Sequence, residues 1–145
     1  MTGKEFSEIR RQLGKTQSAM ADLLGVSHKA IQSFEQGWRR IPAHVERQAL
    51  WLLAHQRMEN TRAKTCWTVR KCSLLTRRHC PAWEFQTGRF CWFVNGTVCH
   101  GKRQGSWEEK MAMCRRCDAF RAVMPDFCRD PAASDQPLPN HGEES

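Results

Sequence analysis

Residues 16–37 read TQSAMADLLGVSHKAIQSFEQG, and the organisation of the amino-terminal half follows from this stretch. Thr16 suits a helix N-cap, because its hydroxyl accepts a bond from an otherwise orphaned amide of the first turn. Met20, Leu23 and Leu24 recur at helical spacing and predict one apolar face. Gly25 follows the last of them, where a helix ends in the left-handed region at no Cβ cost. Val26 is placed to plug the corner, and Ser27 to cap a second helix. In that helix Ala30, Ile31 and Phe34 are expected to face inward, leaving His28, Lys29, Gln32 and Ser33 outward, and Gly37 ends it. The stretch therefore predicts two short helices around a glycine turn, with hydrogen-bonding side chains on the outer face of the second.

Working outward, residues 4–57 resemble the Cro/lambda-repressor-type (XRE family) helix-turn-helix domain. The resemblance is carried by Thr16-Gln17, Ala21, Leu24-Gly25-Val26-Ser27, Ile31 and Phe34-Glu35-x-Gly37, in that order. Phe34 departs from the tryptophan many relatives carry there, a packing exchange. The resemblance implies that Gln17 holds a phosphate at the mouth of the groove. It also implies that Ser27, His28, Lys29, Gln32 and Ser33 meet bases and backbone, and that Arg10 and Glu35 form a structural ion pair. A second helix presenting such side chains in its first turns is the element that reads base edges in a major groove.

Upstream, Phe6, Ile9 and Leu13 give the first helix a buried stripe, and Gly14 closes it. Downstream, Trp38-Arg39-Arg40 is a basic turn in which Arg39 and Arg40 suit backbone phosphates. Pro42 fits the first turn of another helix, with Val45, Ala49, Leu52 and Leu53 as its inner face. Leu50 and Trp51 fall off that stripe and are expected to form a dimer contact, a dock for the second module, or ordinary core. Residues 58–65 read as a linker.

Charge agrees with a nucleic-acid partner. The 145-residue chain carries a formal +8 with pI near 9.4, a balance that favours anionic partners. Residues 1–64 hold eleven Lys/Arg against six Asp/Glu, residues 65–128 eleven against five, and residues 129–145 one against four. Both expected folded parts are basic and only the tail is acidic. Met1 leads directly into a polar amphipathic segment, so no secretory leader is expected. The longest apolar run, Ala49 to Ala54, is far short of a membrane span. A cytoplasmic protein with no membrane partner is the expectation, and in that compartment thiols stay reduced.

That matters because the chain has eight cysteines. Cys66-Trp67-Thr68-Val69 precedes Cys72, and Cys91-Trp92-Phe93-Val94 precedes Cys99, a weak internal echo with Cys80-Pro81-Ala82-Trp83 between. Residues 90–94 read as a strand, Asn95-Gly96 as a hairpin turn and Thr97-Val98-Cys99 as the return. Ser106 and Glu109 form a capping box that opens a helix, which carries Cys114 and Cys117 three apart and stops at Pro125. Residues 66–124 resemble the two-CW cysteine-rich module of bacterial proteins, on the two Cys-Trp pairs, Cys80-Pro81 and Cys114-x-x-Cys117-Asp118. The resemblance implies a metal site without implying which metal.

Thiolates bind soft or borderline metals, and four-sulfur sites suit zinc or iron–sulfur clusters. A structural zinc site shows two short Cys-x-x-Cys pairs, whereas this chain has one and otherwise long gaps, which clusters tolerate more readily. The expectation is an iron–sulfur cluster, with zinc as the alternative and disulfides or free thiols remaining. Four of Cys66, Cys72, Cys80, Cys91, Cys99, Cys114 and Cys117 would bind it, with Cys128 set aside as lying at the edge of the tail. The tryptophans would exclude water or simply build the core.

No serine-nucleophile motif, phosphate-cradling glycine loop or spaced carboxylate pair occurs, so no enzyme is expected. Residues 129–145 have a disordered composition. The fold class predicted is mainly α, a four- to five-helix lambda-repressor-like domain (1–57) plus a small irregular α+β cysteine-rich metal-binding module (66–128). The function expected is a homodimeric, sequence-specific regulator of transcription on double-stranded DNA. Its cysteine module would sense redox state or metal; alternatively it would be a zinc staple for dimerisation or docking.

Overall fold

The computed structural model describes residues 1–59, 62–99 and 101–128. The expected disordered tail, 129–145, and part of the expected linker lie outside them. The chain divides into two compact units, one ending at Arg57 and the other starting at Met58. It is mainly helical with one two-stranded sheet, and among the described residues no helix is long and apolar enough to cross a membrane.

The first unit contains α1 (Gly3–Gln12), α2 (Gln17–Leu24), α3 (His28–Gln36) and α4 (Ala43–Met58). Its punctuation is that of the sequence. Thr16 accepts from the Ala19 amide and Ser27 from the Ala30 amide, while Gly25 (φ 66°) and Gly37 (φ 77°) close α2 and α3 in the left-handed region. Phe6 and Phe34 meet edge-on with ring centroids 5.9 Å apart, and Ile9, Met20 and Ile31 complete the centre of a fully enclosed core. Gly3 lets α1 lie against α3, because a Cβ there would come within 2.6 Å of the Glu35 carbonyl oxygen.

Three phases differ from expectation. In α2 the buried residues are Met20, Ala21 and Leu24, while Leu23 is exposed; the inner face follows the 20/21/24 stripe, and a leucine out of phase with it stays in solvent. Leu13 caps α1 and is only half-buried. In α4 the stripe is Val45, Glu46, Ala49, Leu50 and Leu53, so Leu50 is core and Leu52 half-buried. Of the readings left open for the Leu50-Trp51 pair, Leu50 takes ordinary core, while Trp51 is exposed and stacks on His55 with centroids 5.0 Å apart. Pro42 stands just before α4, its carbonyl accepting from the Val45 and Glu46 amides.

The second unit is assembled from short pieces: α5 (Cys66–Val69), α6 (Leu74–Arg78), α7 (Pro81–Glu84), a 3-10 turn (Cys91–Phe93), the antiparallel pair β1 (Val98–Cys99) and β2 (Lys102–Arg103), α8 (Trp107–Cys114), α9 (Asp118–Arg121) and a 3-10 turn (Pro125–Phe127). Residues 90–94 are not a strand. Trp92 is buried edge-on to both Phe93 and Phe120, and the backbone winds into i→i+3 bonds to place it. Asn95-Gly96 does turn, with Gly96 at φ 81°, but the ladder forms one step later, Val98 with Arg103 and Cys99 with Lys102. The Ser106 hydroxyl accepts from the Glu109 amide as expected, whereas the Glu109 carboxylate accepts from Gly105. Nor does one helix run to Pro125: α8 ends at Cys114 and Cys117 caps α9.

Candidate nucleic-acid interface and candidate metal centre

Four polar positions of α3 and its cap stand open. Ser27, His28, Lys29 and Gln32 are exposed, and Ser33 is half-buried. The Ser27 hydroxyl accepts from the Ala30 amide at 3.0 Å, which leaves its own proton to donate outward. The Ser33 carbonyl accepts from Trp38 and Arg39, tying the following turn to the end of α3. In that turn Trp38, Arg39 and Arg40 are exposed, with the Arg39 guanidinium 5.4 Å above the Phe34 ring. Trp38, at 78% exposure, is the most exposed large apolar side chain. It was read from the sequence only as part of a basic turn; a lone tryptophan carries no local signal of whether it will be buried.

Glu35 locks this surface from behind. Its carboxylate accepts from Arg10 of α1 at 2.5 Å and from the Gln17 amide of α2 at 2.7 Å, so one acid joins all three helices. The Arg10–Glu35 pair is therefore present as the resemblance implies. Gln17, expected to hold a phosphate, gives one amide N–H to Glu35, and its amide group carries a second donor.

Residues 6–43 match the family model described as helix-turn-helix. The first unit carries a helix-turn-helix. The matched family is one of DNA-binding, non-enzymatic domains. Comparison with curated proteins and with solved structures gave no match. In this helix-turn-helix α2 and α3 are the paired helices, Gly25 is the turn, and α1 and α4 supply the packing that holds the pair. The match ends at residue 43, so the cysteine-rich unit stands outside it.

In that unit a cavity of about 330 Å³ is lined by Cys66, Cys72, Cys80, Cys91, Cys99, Cys114 and Cys117. All seven cysteines singled out in the sequence reach one space, from α5, the loops around α6, the first 3-10 turn, β1, α8 and the start of α9. Cys128 does not; its thiol donates to the Met124 carbonyl. The echo of Cys-Trp pairs has a spatial counterpart, because the thiols of Cys66 and Cys91 share a hydrogen bond. Their tryptophans differ: Trp67 is on the cavity wall, edge-on to Trp83 at 4.9 Å, while Trp92 is core. Gly88 makes room for Trp67, since a Cβ there would lie 2.5 Å from the indole.

The thiols are not equivalent. The hydrogen bond from Cys91 holds the Cys66 thiol below its ordinary value, and the same bond with burial drives Cys91 well above it. Burial pushes Cys114 up to about 12 and raises Cys72 and Cys99. Basic groups line the same cavity, among them Arg70, Arg77 and Lys110, and no carboxylate does. Arg77 also lies 5.1 Å over the Trp83 ring and donates to the Cys72 carbonyl.

A single zinc requires four sulfurs each about 2.3 Å from one point. Among the described residues no three His, Cys, Asp or Glu side chains gather to hold one ion. The seven cysteines that line the cavity are donors of the kind that ligates soft or borderline metals. Lys110 was not singled out in the sequence, where a lysine between Glu109 and Met111 reads as a solvated helix residue. Its phase is the available signal, because Trp107, Lys110, Met111 and Cys114 form one i, i+3, i+4, i+7 stripe.

Proposed function

We propose that the protein is a sequence-specific transcriptional regulator on double-stranded DNA, with a thiolate-ligated cofactor in its second unit that makes binding responsive to metal supply or oxidants. The observation that carries the second half is the approach of seven cysteines from separate segments to one cavity. On the DNA side, Ser27, His28, Lys29, Gln32 and Ser33 supply base and backbone contacts, and Arg39 and Arg40 supply salt-sensitive phosphate contacts. Gln17 gives one amide N–H to Glu35, and its second N–H would donate to a phosphate. A homodimer on a two-fold site would place half-sites about 34 Å apart.

An iron–sulfur cluster is the cofactor proposed, because the long gaps between the cysteines in sequence are ones that clusters tolerate. It would cross-link segments that have little other secondary structure. Ligation deprotonates the thiols that take part and releases their protons, so occupancy follows pH as well as metal. Loss of the cofactor to an oxidant such as dioxygen would loosen residues 66–124, and the dimer geometry would change with it.

The test is operator selection followed by Gln32→Ala with Ser33→Ala. Each good base contact is worth about 1–3 kcal/mol, so the double change should abolish preference for the selected sequence while weak, salt-sensitive binding remains. Selectivity that survives it refutes this reading face. The second reading, a zinc staple used for dimerisation or docking, rests on the Cys114-x-x-Cys117 bite. Protein purified without oxygen that is colourless and zinc-bearing supports the staple; a brown protein with a broad visible band supports the cluster.

A further inference from the structure

Lys110 is 1% exposed, one turn before Cys114 on α8, and lines the thiol cavity. Its ammonium donates to the hydroxyl of Thr97, which is also buried. An ammonium has three N–H donors, and Thr97 takes one. Among the described residues no carboxylate pairs with it: on its own helix Glu108 and Glu109 are exposed, and Glu109 is engaged by Gly105. The titratable side chains that line the cavity with it are Arg70, Lys71, Arg77 and the thiols of Cys66, Cys72, Cys80, Cys91, Cys99, Cys114 and Cys117. Protonated thiols are neutral, so they do not offset a buried cation, and an uncompensated buried charge is strongly unfavourable. Four thiolates around a cluster core of charge +2 carry two net negative charges. Such a group would supply the missing counter-charge and accept the two remaining N–H bonds through sulfur.

We propose that Lys110, held by Thr97, is a positioning residue of the cofactor site, serving as built-in counter-charge to a net-anionic group ligated by thiols of the cavity it lines. The proposal rests on the cofactor reading above and adds the residue that favours an anionic group and sets how readily it takes an electron. A cation beside the group stabilises its more negative, reduced form, so removing the charge shifts the midpoint potential to more negative values. A merely structural lysine predicts a different pattern. Lys110→Met should leave the metal-free protein at least as stable as the parent, since an unpaired buried charge is gone, yet weaken the loaded form.

The experiment uses the full chain, loaded without oxygen with ferrous iron and sulfide or with zinc. Chelator competition, the midpoint potential of the iron-loaded form and the melting temperature of the metal-free form are then read. Lys110→Met should release its metal to chelator about tenfold more readily, as loss of a supporting partner commonly does. Its midpoint should be more negative and its metal-free melting temperature no lower, with Lys110→Arg restoring retention. Lys110→Gln, uncharged but able to bond Thr97, takes its place if the methionine variant misfolds. Parental retention and potential in either folded uncharged variant overturns the role of Lys110 while leaving the cofactor in place. A parent chain that takes up neither iron with sulfide nor zinc overturns the cofactor reading itself, and this inference with it.

Discussion

The two units hold themselves together by different means. The helix-turn-helix unit closes on Phe6, Ile9, Met20, Ile31 and Phe34, all essentially buried, and the ends of α1, α2 and α3 are capped by residues adjacent in sequence. Among the described residues the cysteine-rich unit has no helix longer than the eight residues of α8, and beside a smaller apolar cluster of Trp92, Phe120 and Met124 it surrounds a space lined with thiols and cations. An apolar core is complete in the polypeptide; on the proposed reading, a thiol-lined cavity would be completed by what it binds. The contrast therefore predicts that the units answer to different perturbations.

The largest expected effect comes from withdrawing metal. A structural metal site contributes on the order of 10 kcal/mol to folding, so anaerobic chelation of the loaded protein should expose residues 66–128 to protease while a fragment near 1–57 persists. Degradation of both units together, or of neither, would break the contrast. The converse perturbation is Phe6→Ala, which removes an edge-on partner of Phe34 and should cost about 3–5 kcal/mol. Melting of the helix-turn-helix and DNA binding should fall, with metal content unchanged. A parallel loss of metal would show that the units depend on one another.

A smaller effect sharpens the comparison through pH. Cys114 stands at an ordinary value of 9.0 when unfolded and about 12 when folded, so the folded state binds its proton more tightly. That contribution is fully present below pH 9 and is lost as pH rises towards about 12. The metal-free second unit should lose stability across that window, read by tryptophan fluorescence, because four of the six tryptophans lie there. Stability flat across the window would contradict the burial assigned to Cys114.

The two units were also unequally legible. Thr16, Gly25, Ser27 and Gly37 announce helix ends because capping is a local interaction, and the structure uses each of them as expected. Leu23 was misplaced because residue type was weighed ahead of phase, and Ala21 is buried in its place; Leu50, for which core was one of the open readings, continues the Glu46 side of the α4 stripe. In the second unit, local signals gave the turn at Gly96 and the cap at Ser106 but not the 3-10 turn at Cys91–Phe93. That turn is set by where Trp92 must pack, against Phe120 far along the chain. The seven cavity cysteines were legible as a group from composition, whereas Lys110 was not, because its burial depends on a cavity that no local pattern describes.

The most direct test of the central claim is metal and acid-labile sulfide analysis of the full chain purified without oxygen, beside a Cys91→Ser, Cys114→Ser variant. The account predicts a metal-bearing parent, with iron and sulfide together, and a variant that has lost them while its helix-turn-helix stays folded. A parent free of metal, with the cavity cysteines all reacting as free thiols, would contradict it.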